Sequence, residues 1–265
     1  ELDEGRFACV MVGEAPAFEK RVNSYLEMPV IRIGGDDNDE MTQKLEEIED
    51  FDRLVVAITS ESQHLPANIK NSLIELINNR ESVAAFLNNP YKMSGWYGLA
   101  NIDGLMVGYQ DNAVAQDVAA QVLFGGVGAT GRLPVSVGIC FSAGDGVDTP
   151  GGLRFGYSLP EAEGMDSHRI STRVDSILGK ALAEKAFPGC QVLVARRGNV
   201  IFHEAYGFHT YEKRHPVKPD DLYDLASVTK ITGPLPVLMK LTQEGRIDLD
   251  DPVSNYFSDW ESGFF

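Results

Sequence analysis

Leu54-Val55-Val56-Ala57-Ile58 is the stretch on which the fold turns. Five apolar residues follow one another without a polar interruption. A strand with one wet face alternates, whereas a strand covered on both faces does not, so this segment reads as the interior of a parallel sheet layered between helices. The flanking sequence repeats the theme. Upstream, Phe7-Ala8-Cys9-Val10-Met11-Val12 and Pro29-Val30-Ile31-Arg32-Ile33 are strands. Between them Pro16 opens a helix that carries Phe18, Val22 and Leu26 at helical spacing. An acidic helix runs from Asp39 to Ile48. Downstream, Ile69, Leu73, Leu76 and Ile77 form a helix stripe, Val83 to Leu87 a fourth strand and Gly104 to Tyr109 a fifth. Asn112 then caps a helix with Val114, Val118, Val122 and Leu123 on its apolar stripe. Strands alternating with helices give α/β class: an open, doubly wound, mainly parallel sheet in three layers.

The rhythm stops near Gly125. From Ser142 to Gly164 the chain is rich in Gly, Pro and Asp and reads as loop and linker. A second segment begins with an amphipathic helix carrying Ile170, Val174, Ile177, Leu178, Ala181 and Leu182. Two strands follow, Gln191 to Ala195 and Val200 to Tyr206, joined by a hairpin turn at Arg197-Gly198-Asn199. A further helix begins around Asp224. The expected division is therefore 1–160 for the first domain, ending in the 142–164 linker, and 165–265 for a truncated second α/β segment.

Composition narrows the function. Of 265 residues, 43% are apolar and 23% charged, a globular mix. The net charge of −16 would repel phosphate backbones and anionic lipid, which argues against nucleic-acid and membrane-surface partners. No apolar run approaches the roughly 20 residues of a membrane helix. The stretch Glu1-Leu2-Asp3-Glu4 has no signal-peptide shape. Cys9, Cys140 and Cys190 lie far apart, so neither a zinc knuckle nor a disulfide framework is indicated. Gly126-Val127-Gly128-Ala129-Thr130-Gly131 spells GxGxxG, but it follows a helix and runs into Arg132-Leu133-Pro134. A dinucleotide fingerprint follows a strand and opens a helix, so this one reads as a loop. His203, Glu204 and His209 lack HExxH spacing and read as polar strand residues. Asp36, Asp37 and Asp39 lack EF-hand spacing and read as a solvated loop and helix start. No cofactor and no metal is called for.

Ser227-Val228-Thr229-Lys230 is the motif with chemistry in it. With Asp224 as N-cap, Ser227 lies about one turn into a helix and Lys230 falls on the same face. A serine hydroxyl is a weak nucleophile at its own pKa. A lysine amine within hydrogen-bond reach can take its proton if burial brings the amine toward neutrality. The N-terminus of the helix would supply N–H groups and positive dipole to a developing oxyanion. Pro234 and Pro236 fall inside this helix. Since an interior proline costs roughly 3 kcal/mol, a kink or break is expected after Thr232.

The surroundings of that motif resemble the N-terminal part of serine β-lactamase-like proteins, which include class C β-lactamases, D-Ala-D-Ala carboxypeptidases and related esterases. The resemblance rests on Phe187-Pro188-Gly189, Gly198-Asn199-Val200-Ile201, Ala205-Tyr206-Gly207, Leu225-Ala226-Ser227-Val228-Thr229-Lys230, Glu244-Gly245-Arg246-Ile247 and Asp251-Pro252-Val253. It runs from about Met165 to Trp260. It implies that Ser227 is the acylated nucleophile and Lys230 its base partner. Members of that family also carry a Tyr-x-Asn element and a KTG-like strand, and neither occurs here.

The first half resembles the C-terminal α/β domain of glycoside hydrolase family 3, in its β-N-acetylhexosaminidase branch. Phe86 to Tyr91, Gly108 to Asn112, Ala115 to Gly126 and Gly131 to Val137 carry this likeness, with Ala143 to Gly146 and Leu153 to Ser158 similar to the exit segment. Members of that branch keep their catalytic groups on a (β/α)₈ barrel of about 250 residues, which this chain does not encode. Retaining glycosidases need two catalytic groups about 5 Å apart. Asp103, Asp111 and Asp117 are more simply strand-end, turn and helix-surface residues.

Together the resemblances imply a piece of a fused bacterial hydrolase, in which a β-N-acetylhexosaminidase precedes a serine hydrolase working through a Ser-x-x-Lys acyl-enzyme. The substrate of the whole would be carbohydrate or cell-wall-derived and its compartment periplasmic or otherwise extracytoplasmic. The piece alone is expected to be inactive, and to form a homodimer through its truncated second domain. The alternative is a non-catalytic structural or interaction module that supports a missing barrel and carries a vestigial serine site.

Overall fold

The computed structural model describes residues 5–35 and 37–257. The chain forms two compact units, Glu1–Phe187 with Gln191–Glu204, and Pro188–Cys190 with Ala205–Phe265.

The first unit is built on β1 (Phe7–Val12), β2 (Val30–Ile33), β3 (Arg53–Ile58), β4 (Glu81–Phe86) and β5 (Gly104–Val107). They lie side by side in the order β2-β1-β3-β4-β5, every pair parallel. The register explains the continuous apolar runs. Val10 lies beside Ile31 and Val56, and Val56 beside Ala84. These residues face one core, together with Met41, Leu45 and Ile48 of α2 (Asn38–Ile48) and Ile69, Leu73 and Ile77 of α3 (Ala67–Asn78). Cys9, Val55 and Ala85 face the opposite core, with Phe18 and Val22 of α1 (Pro16–Tyr25) and Ala119 and Ala120 of α4 (Ala113–Leu123). Helices thus cover both faces, as the open, doubly wound reading requires. Between β4 and β5 the crossover is not an α-helix. Two short 3₁₀ turns, Pro90–Gly95 and Leu99–Asn101, fold Met93, Trp96 and Leu99 onto the α2–α3 side.

Local chemistry sets the helix starts. Pro16 stands in the first turn of α1. The Asp37 carboxylate accepts from the backbone N–H groups of Asp39 (2.9 Å) and Glu40 (3.3 Å) and caps α2. Asp36 lies outside the described residues. Asn112 caps α4 through Val114 N (3.1 Å) and Ala115 N (3.0 Å).

The expected stripe of α4 needs correction. Val114 is 73% and Val118 40% exposed, whereas Gln116, Ala119, Ala120 and Gln121 are buried. Hydrogen bonding chose the face. The Gln116 side chain accepts from Ala17 N and donates to Asp111, while Gln121 donates to Asp117 and Tyr157 O and accepts from Tyr157 N. Buried amides with their bonds made, flanked by small alanines, hold α4 against α1.

The 142–164 stretch is also more than linker. Gly156–Tyr157 forms β6, which pairs in parallel with Asn199–Val200. Just before it, Tyr25 donates its hydroxyl to Phe155 O (2.7 Å), and the Arg21 guanidinium lies 3.5 Å over the Tyr157 ring while pairing with Asp117 (2.8 Å). Burial is the main cause that pushes the Tyr25 hydroxyl up to about 12. The GxGxxG segment is a loop whose glycines permit close backbone approach. A Cβ on Gly128 would stand 2.7 Å from Thr149 O, beside the isolated bridge between Ala129 and Thr149.

After α5 (Ser167–Ala183), capped by Asp166, come β7 (Gly189–Arg196) and β8 (Asn199–Gly207). The second sheet has the order β6-β8-β7. Arg197 and Gly198 have φ of +53° and +85°, the left-handed pair that a two-residue hairpin turn uses to match strand twist.

In the second unit, α6 (Thr229–Thr232) and α7 (Pro234–Gln243) follow a 3₁₀ turn at Ala226–Val228. Of its described residues Val217 alone is buried. No helix among the described residues is long and apolar enough to cross a membrane.

Candidate serine site

The approach to Ser227 is a tight turn. The Asp224 carboxylate accepts from Ala226 N at 2.7 Å, and Val228 N bonds Leu225 O at 2.9 Å. Ala226 has φ +44°, a left-handed conformation that costs a residue with a Cβ about 1–2 kcal/mol. Nothing in the sequence signals this, since glycine or asparagine ordinarily occupies such a position. Ser227 then sits in the 3₁₀ turn and Lys230 in α6.

The two side chains meet. Lys230 Nζ donates to Ser227 Oγ at 2.9 Å. The same separation serves the reverse transfer, in which a neutral amine accepts the hydroxyl proton. Both residues are exposed. The described residues around the pair leave it open to solvent.

The break expected after Thr232 is present, whereas Ser227 lies in the 3₁₀ turn before the helix and not one turn into it. α6 ends at Thr232, as the prolines require, and Gly233 (φ −106°, ψ −81°) turns the chain. Pro234 and Pro236 then occupy the first turn of α7, where a missing N–H leaves no helical bond unmade. Thr232 Oγ1 donates to Val228 O at 3.1 Å and Gly233 N to Thr229 O at 2.8 Å, closing α6. Ser227 thus precedes a four-residue helix. The helix dipole expected behind its hydroxyl is weak here, because the macrodipole grows from aligned peptides over several turns and α6 has four residues.

The other candidates are separated by the structure. His203 and Glu204 lie in β8, while His209 Nε2 meets Asp221 Oδ2 at 2.7 Å. The Lys218 backbone N–H, at 2.6 Å, is the main cause that holds Asp221 below the usual carboxylate range, with His209 adding to it. Among the described residues no group of three or more His, Cys, Asp or Glu is placed to hold a metal. Cys9, Cys140 and Cys190 are free thiols. Burial is the main cause that pushes Cys9 up to about 12, and it also raises Cys190. The three aspartates of the first unit are engaged in folding. Asp103 accepts from Ser82 N, Asp111 accepts from Ser60 and Gln116, and Asp117 pairs with Arg21.

Comparison with known proteins places the motif within a matched segment. Residues 174–262 match the Beta-lactamase family. Esterase EstB of Burkholderia gladioli is 34% identical over 101 residues, covering 38% of this chain and 26% of EstB. Protein flp of Staphylococcus aureus is 34% identical over 84 residues, covering 32% of this chain and 17% of flp. The chain thus spans about a quarter or less of the length of these curated relatives. Two solved structures are similar at low identity. One is a fungal multi-domain GH3 β-N-acetylglucosaminidase with a GCN5-related glucosamine N-acetyltransferase region (16% identity, TM-score 0.44, 55% of this chain and 17% of that one). The other is a glycoside hydrolase family 3 β-N-acetylglucosaminidase from Paenibacillus sp. str. FPU-7 (14% identity, TM-score 0.35, 45% of this chain and 25% of that one).

Proposed function

We propose that this chain carries part of a bacterial serine hydrolase, with Ser227 as nucleophile and Lys230 as its base. One observation carries the reading: the 2.9 Å contact between Lys230 Nζ and Ser227 Oγ falls inside the segment that matches the Beta-lactamase family. In the reaction Ser227 Oγ bonds to a substrate carbonyl carbon while its proton passes to Lys230 Nζ. The tetrahedral adduct expels the amine or alkoxide, which takes that proton, and leaves an ester on Ser227. Water then attacks the ester carbonyl as its proton passes to Lys230 Nζ; the acyl carbon–Oγ bond breaks, the carboxylic acid leaves, and Ser227 Oγ takes the proton back.

We further propose that 1–160 is a family 3 type α/β domain and 165–265 the opening of the serine hydrolase domain. The whole protein would act on carbohydrate or cell-wall-derived material outside the cytoplasm. The exposure of Ser227 and Lys230 supports an inactive segment when this chain is alone, because the couple lacks the enclosing groups that would desolvate it. The exposed Leu235, Val237 and Met239 of α7 support self-association as a homodimer.

A second reading gives the α/β part a purely supporting role. The folding tasks of Asp103, Asp111 and Asp117 favour it.

Labelling with a fluorophosphonate or a penicillin-type probe, read by peptide mass spectrometry, tests the first reading. The expected adduct is on Ser227 in the longer protein, lost in Ser227→Ala and strongly slowed in Lys230→Met. A longer protein that labels elsewhere, or not at all, overturns it.

A further inference from the structure

One cleft of the first unit stands apart by its charge. The chain carries a net charge of −16. Yet a cavity of about 230 Å³ past the carboxyl ends of β3 and β4 is lined by Ser62, Gln63, Lys70, Asn88, Lys92 and Trp96, with no carboxylate among its described lining residues. Its parts come from separate elements. Ser62 and Gln63 belong to the 3₁₀ turn Ser60–His64 that follows β3, and Asn88 follows β4. Lys92 comes from the turn Pro90–Gly95 and Lys70 from α3. The cleft lies at the carboxyl edge of the sheet, one strand from the β1–β3 position where the strand order reverses.

The donors in this cleft outnumber their acceptors. Lys70 Nζ donates to Gln63 O at 3.3 Å and lies 5.7 Å from the centre of the buried Trp96 ring. Burial holds this ammonium below its usual range. Lys92 has no side-chain hydrogen bond or ion pair among the described residues. Asn88 uses its Oδ1 to accept from Asn89 N at 2.7 Å, while its Nδ2 is buried without a partner. The nearby Glu61 lines the adjoining cleft beside Gly13 and His64, and its carboxylate is taken by Glu14 N at 3.1 Å. The orphaned Asn88 amide opposes folding unless an acceptor arrives, and the partly desolvated Lys70 ammonium, with one long hydrogen bond, gains from a nearby anion.

We propose that this cleft binds the oxyanion of a small polar molecule, a phosphate or carboxylate group, with Lys70 and Lys92 as charged donors and Asn88 as amide donor. Two ammonium groups suit a rounded anion, since lysine acts as a point charge and imposes no planar fork. The cavity has room for a molecule of sugar size or smaller. The site is independent of Ser227 and would stand if the serine were inert.

The test is a titration of the full chain with inorganic phosphate and, separately, with sodium acetate, following the Trp96 indole N–H by NMR. Ionic strength is held constant with sodium chloride. The expected result is a saturable shift. A response to phosphate alone assigns a phosphoryl ligand, one to acetate alone a carboxylate, and one to both the shared oxyanion. Lys92→Met, at an exposed position, should weaken binding roughly tenfold with no change in melting temperature. Asn88→Asp should abolish it by placing a like charge in the cleft. A non-saturating response that chloride reproduces, or wild-type affinity in Lys92→Met, overturns the proposal.

Discussion

Helices α3 and α7 have much in common in sequence. Each runs for three turns or so and carries a strong apolar stripe. In α3 the stripe of Ile69, Leu73, Ile74 and Ile77 is buried against the sheet. In α7 Leu235, Val237, Leu238 and Met239 are all exposed. Amphipathic spacing therefore states that a face needs covering and says nothing of what covers it. The first unit closes on itself through two cores, one on each side of β1, β3 and β4. The second unit offers a preformed Ser227–Lys230 contact on a segment with almost no core of its own. Both side chains of that contact are exposed.

Truncating a side chain in each region sharpens the contrast most. Phe86 is fully buried in β4, so Phe86→Ala should lower the stability of the first unit by about 3–5 kcal/mol. Leu238 is 46% exposed, so Leu238→Ala should change stability by no more than about 0.5 kcal/mol. Denaturant titration of the two variants checks this, and a large loss from Leu238→Ala would show that α7 has a core after all.

An effect confined to alkaline pH follows from Cys9. Its thiol has an ordinary value of 9.0 and is held near 12 in the folded unit, mainly by burial. From pH 9 to 12 the unfolded chain has lost this proton while the folded one keeps it, so stability falls as pH rises through that window. The slope from one such proton is about 1.4 kcal/mol per pH unit. Cys9→Ala should remove that share of the alkaline loss from β1. The half-buried Cys190 should show far less of it. Equal alkaline slopes in wild type and Cys9→Ala would contradict the buried thiol.

Much of this was legible in the residues. Continuous apolar runs marked β1, β3 and β4, since strands covered on both faces dispense with alternation, while β2 carries the exposed Arg32. Pro234 and Pro236 marked the break after Thr232, and Arg197-Gly198 marked the hairpin. The buried face of α4 was not legible. Gln116 and Gln121 go inside because particular backbone groups await them, and hydropathy cannot see a hydrogen bond. Strand β6 escaped notice because two residues, Gly156 and Tyr157, carry no periodicity. At the serine site the Ser-x-x-Lys spacing foretold the contact. The exposure of the pair depends on tertiary partners and had no local signal.

Hydrogen exchange of the 265-residue chain, read peptide by peptide, tests the contrast between the two regions most directly. Amides of β1, β3 and β4 should exchange only through global opening, while those of 226–243 should exchange orders of magnitude faster, since local stability follows buried apolar contact. Protection of 226–243 equal to that of the sheet would contradict a serine site that stands on unsupported ground.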